Sequence, residues 1–71
     1  MKILLLTILA IVLKLNHYVN HMIDGYKYSH HEQYAEGQSS FYAALSINPG
    51  DNTAIKALRN IQFRARVRNL I

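Results

Sequence analysis

Residues 25–49 space their glycine, aromatic, small and proline residues as two short helices folded back on each other would require. Gly25, Tyr28, Tyr34, Gly37, Phe41, Ala44 and Pro49 follow at offsets of three, six, three, four, three and five. Offsets of three and four return side chains to one helix face. The longer gap holds Ser29, His30, His31 and Glu32, which read as the turn. Pro49 is the sole proline and sits among Asn48, Gly50 and Asp51, a cluster that ends a helix. Asp51 can then cap a third helix by accepting backbone N–H bonds.

The chain has 71 residues, enough for one domain. Below about 70–80 residues a lone core rarely supplies more than about 3–5 kcal/mol. With no cysteine, neither a disulfide, a thiolate metal site nor a cysteine-linked lipid anchor is available. Support is therefore expected from a bilayer, another protein, or both.

Residues 3–13 form an apolar run interrupted only by Thr7 and Ala10. As a helix it spans about 16 Å, against about 30 Å of hydrocarbon. Lys2 and Lys14 flank it and can bury their methylene stems while their ammonium groups reach the interface. Counted from Met1 to Val19, with Tyr18 at the headgroup level, the segment reads as a tilted or thin single crossing. A cleaved signal peptide is the main rival, given the positive start at Lys2, and a helix buried against a partner or lying in the membrane interface is a third reading. Ala10 is its one small candidate for cleavage, and Ile8 precedes it at the key position.

The following helix is expected to continue from the anchor to about Ser29, with Val19, Met22, Ile23 and Tyr26 recurring at helical spacing. The second is expected from Glu32 or Gln33 to Ser46, with Tyr34, Phe41, Ala44 and Leu45 on one face. The third is expected from Asn52 to Val67, with Ala54, Ile55, Leu58, Ile61, Gln62 and Ala65 facing inward.

On these residues, positions 18–51 resemble one tetratricopeptide repeat, a protein-interaction module with a 34-residue period. The third helix resembles the start of a following repeat. Moving 34 positions on from His21 and Asp24 reaches Ile55 and Leu58, residue types the family prefers there. His21 and Asp24 themselves depart from the pattern, as do Arg59 in place of a glycine and Gln62 in place of an aromatic. The resemblance implies that Gly25 and Gly37 pack two helices closely. It also implies that ligands lie along Val19, Met22, Tyr26, Thr53, Lys56 and Asn60. Solenoid modules bury their faces by stacking, so one and a half repeats leave an apolar edge for a partner.

Catalytic chemistry finds no support. Ser39, Ser40 and Ser46 lack the turn of a nucleophilic serine, Glu32 and Glu36 form no recognisable dyad, and no glycine-rich phosphate loop exists. His17, His21 and Asp24 share a helix face that suits a divalent metal, but no fourth ligand is near. The net charge of +4 is concentrated late, in Lys56, Arg59, Arg64, Arg66 and Arg68, with no acid after Asp51. That balance suits a solvated helix whose cations complement its own negative C-terminal end, and it would also suit anionic lipid or an acidic protein face. One aromatic, Phe63, among the arginines is too few for RNA stacking, so nucleic acid is disfavoured.

The expected architecture is all-α. Residues 1–17 are an apolar anchor, 18–51 a repeat-like hairpin, and 52–71 an amphipathic basic helix. The expected role is a non-catalytic, cofactor-free, single-pass membrane accessory subunit that stabilises a larger membrane protein complex. Contact is expected at Phe63 and Arg64 first, then Met22, Tyr26, Lys56 and Asn60. Gly25, Gly37, Phe41, Ala44 and Pro49 are expected to be structural. The rivals are a processed secreted or membrane-active peptide and a self-associating structural protein.

Overall fold

The structure is a computed structural model that describes residues 2–70. Met1 and Ile71, ends of the outer segments read from the sequence, lie outside them. Three helices follow in order: α1 (Lys2–His30), α2 (Tyr34–Ile47) and α3 (Asn52–Leu70). The chain is all-α, with no strand among the described residues. Helix α2 packs against both others, whereas α1 and α3 barely touch. The molecule is elongated, at 59 × 21 × 12 Å.

The elongation comes from α1. Its 29 residues have no break between the apolar shaft and the hairpin arm. Every residue from Lys2 to His17 is exposed, so residues 2–17 stand clear of the bundle as a shaft. By length and composition α1 is sufficient to cross a membrane. Thr7, the polar residue of the apolar run 3–13, donates its hydroxyl to the Ile3 carbonyl at 2.8 Å. An apolar medium therefore need not leave that hydroxyl unpaired.

Beyond the shaft, α1 buries Met22, Gly25 and Ser29, with Tyr18 partly covered. This face corrects the expected stripe, of which only Met22 turns inward: Val19, Ile23 and Tyr26 are exposed. The rotation follows from Gly25, the one position where α2 can come close.

Helix α1 ends one residue later than expected, in a Schellman closure. The Gln33 N–H donates to the Tyr28 carbonyl at 2.8 Å, and the Glu32 N–H to Ser29 at 3.2 Å. Glu32 takes the left-handed position, at φ 62°. That consumes Glu32 and Gln33, so α2 starts at Tyr34.

The core consists of Met22, Phe41, Ala44, Ala54, Ala57, Leu58 and Ile61, with Tyr18, Tyr34 and Leu45 packed against it. Ala57 joins it although the expected inward stripe of α3 omits it. Gly25 and Gly37 set the spacing. A Cβ on Gly25 would lie 2.6 Å from Phe41 Cδ1. One on Gly37 would strike Ile61 Cδ1 and lie 3.3 Å from the Gly25 carbonyl oxygen. Pro49 is exposed in the loop between α2 and α3.

At the start of α3, the Asp51 carboxylate accepts the N–H of Thr53 at 3.3 Å and of Ala54 at 3.2 Å. The same carboxylate accepts the Tyr18 hydroxyl, which ties the α2–α3 loop to α1 at the foot of the shaft. Helix α3 runs to Leu70, three residues past the expected end.

Candidate functional site

The residues expected at a contact surface separate into three groups. Met22 is buried in the molecule's own core and presents no free surface, which corrects its expected role. It lies on the face of α1 that Gly25 turns towards α2. Lys56 is exposed but lines neither of the clefts described next. Tyr26, Asn60 and Arg64 come together in one cleft, and Phe63 and Arg64 in another.

The first cleft, of about 210 Å³, lies between the distal halves of α1 and α3. Phe41 and Ala57 contribute apolar wall, and His30 and Asn60 line it as well. Tyr26 meets the Phe41 ring edge-on, with centroids 5.3 Å apart. Its half-exposed ring thus joins core to surface. Arg64 crosses the cleft and donates from Nη1 to the buried Ser29 Oγ at 3.0 Å.

The second cleft, of about 410 Å³, is lined by Tyr34, Phe63, Val67, Arg64, Arg68 and Glu32. Arg64 and Arg68 lie over the Tyr34 ring, 5.8 and 6.0 Å from its centroid. Arg68 also donates to Glu32 at 2.6 Å, through side chains more than half exposed. A pair so exposed contributes at most about 1 kcal/mol. Phe63 is 64 % exposed and Leu70 82 %, so α3 carries an uncovered apolar stripe among its arginines.

No protein-family model matches this chain, and no curated protein or solved structure matches it either. The geometry alone therefore carries the functional argument.

Ser29, His30 and Glu32 read in the sequence as turn residues and Tyr34 as part of a packed face, so their place in these clefts is not legible there. Arg68 and Glu32 lie 36 positions apart, and no local pattern links them. His17, His21 and Asp24 do not assemble a metal site: among the described residues no three such groups converge.

Arg64 stands beside Ser29 and Arg68 beside Glu32, while Asp51 stands beside Tyr18. The basic end of α3 is therefore at the opposite end of the hairpin from the apolar shaft.

Proposed function

We propose that this chain is a small, non-catalytic accessory subunit, held in a membrane by its shaft and bound to a larger membrane protein complex by its hairpin. The carrying observation is the shaft itself. Ten large apolar side chains between Ile3 and Leu15 are exposed around the whole helix. A helix apolar on every side calls for an apolar surround, whereas a one-sided stripe would call for a single protein face.

The reading of residues 18–51 as one tetratricopeptide-like unit belongs to this proposal. It is supported by two antiparallel helices in close approach at Gly25 and Gly37, by buried Phe41 and Ala44, and by Pro49 in the following loop. The uncovered stripe of Phe63, Val67 and Leu70, flanked by Arg59 and Arg66, is the surface offered to the partner. An acidic, partly apolar protein face suits it.

Anionic lipid beneath the shaft does not suit it. From the level of Tyr18 to that of Ser29, α1 rises about 16 Å, roughly two Debye lengths at physiological salt. The distal arginines are too far from that bilayer to be held by its charge.

Alkaline extraction and mild-detergent purification test the proposal. The chain should stay with the membrane pellet and elute within a larger assembly. Phe63→Asp should abolish that co-elution while leaving the chain in the pellet. Release by alkali, or elution as a stable lone monomer, would overturn the proposal. Crosslinked bands containing only copies of this chain would favour self-association.

A further inference from the structure

We propose that the α2–α3 loop, residues 48–51, seats on the headgroup layer of the bilayer that holds the shaft and stops α1 at a fixed depth. This rests on the membrane reading of the shaft and adds a second lipid-contacting element to it.

Three observations converge on the loop. First, it is pinned to α1 at one level, because the Asp51 carboxylate takes the Tyr18 hydroxyl and the first N–H groups of α3 together. Second, that level is where the environment of α1 changes. Every residue from Lys2 to His17 is exposed, and covering by the hairpin begins at Tyr18. Third, an open cleft of about 370 Å³ separates the loop from the top of the shaft. Its walls are apolar at Ile11, Leu15 and Ile47, and polar at Lys14, Asn48 and Asp51. That mixture matches the boundary between acyl chains and headgroups.

The loop acts as a stop for an electrostatic reason. Sliding α1 deeper would carry Asn48 and the Asp51 carboxylate into hydrocarbon, which is strongly unfavourable for a charge. The immersed stretch from Ile3 to Leu15 therefore stays at about 20 Å, roughly two thirds of the usual hydrocarbon thickness. Snorkelling by Lys2 and Lys14 and local thinning of the bilayer take up the difference. The occupant of the cleft is then phospholipid, in the region of its glycerol and first methylenes.

The chain lacks tryptophan, so a single introduced indole reports one position. Gly50 suits the loop probe: a Cβ there meets nothing within 4 Å, and its φ is not positive. Full-length Gly50→Trp, Leu6→Trp and Phe63→Trp variants would be reconstituted in phosphatidylcholine vesicles brominated either near the ester or at mid-chain. Leu6→Trp should lose most of its emission to bromine within the chains. Gly50→Trp should lose emission to the shallow bromine only, and Phe63→Trp to neither. Quenching of Leu6→Trp without Gly50→Trp overturns the loop seat and leaves the membrane reading standing. No quenching of Leu6→Trp removes both. Deep quenching of Gly50→Trp, or any quenching of Phe63→Trp, overturns the depth stop. Protection of Gly50→Trp from both lipid bromine and aqueous iodide overturns it in favour of a protein on the loop. Because the chain also lacks cysteine, a nitroxide on Gly50→Cys gives an independent reading. Headgroup-level oxygen accessibility supports the seat, and accessibility like that of bulk water overturns it.

Discussion

Gly25 and Gly37 stand inside helices, where alanine would ordinarily be favoured by about 1 kcal/mol. Here the missing Cβ is what allows the helices to meet. The two sites differ in what a methyl group would strike. At Gly25 it meets the face of Phe41, a rigid ring only 1 % exposed. At Gly37 it meets the terminal methyl of Ile61, the far end of a branched chain with some rotameric freedom. Both Gly25→Ala and Gly37→Ala should destabilise, in the range of about 1–3 kcal/mol typical of overpacking, with Gly25→Ala the worse. Shrinking the obstacle should expose the cause. Phe41→Leu combined with Gly25→Ala should cost less than the two single changes added together. Chemical denaturation in detergent measures all four variants. Additive costs, or a stabilising Gly25→Ala, would remove close packing as the reason for glycine.

The end of α1 and the start of α3 each have a device of their own, and the two loops differ in how openly the sequence declares them. Asp51 after Pro49 and Gly50 is a local signal, and it caps α3. Asp51→Ala should therefore lose about 1–2 kcal/mol from the cap alone. Tyr18→Phe should lose less, since it keeps the cap and gives up only the link to α1. Equal losses would mean that the carboxylate matters mainly for its tie to Tyr18. The other loop is hidden, because it puts a left-handed φ on Glu32, where glycine or asparagine is the usual choice. In an Arg68→Ala background, where no ion pair remains to lose, Glu32→Gly should raise the thermal midpoint by relieving that φ. An unchanged or lower midpoint would contradict the closure described above. The same contrast explains what could be read in advance. Helix number, order and approximate limits follow from local punctuation at Ser29–Glu32 and Asn48–Asp51. The rotation of α1 does not, because Val19, Ile23 and Tyr26 are as apolar as the residues that are buried. Only the approach of α2 at Gly25 decides between the faces. Ala57 and the Arg68–Glu32 pair escape for the same reason, since both depend on how α3 lies against its neighbours.

For the molecule as a whole, the balance of surfaces matters more than any single contact. Among the described residues, seven apolar ones make up the buried core, and three of them, Ala44, Ala54 and Ala57, are alanines. Phe41 and Ile61 are the large side chains buried completely. Small residues let helices approach closely but remove little apolar area from water, so burial contributes modestly at about 25 cal/mol per Å². The exposed shaft and the Phe63 stripe together leave more large apolar side chains outside than the core holds inside. A hairpin of residues 18–71 cut free of its shaft should consequently remain helical by circular dichroism. It should melt broadly and with weak cooperativity, because its core is near the lower limit for an unaided domain. Calorimetry and analytical ultracentrifugation decide the matter together. A sharp transition, independent of concentration, from a soluble monomer would show that this core suffices alone. The uncovered arginine-flanked face of α3 would then no longer argue for a partner. A broad melt that sharpens only when the fragment associates would show that the missing stability lies on the surfaces left open here.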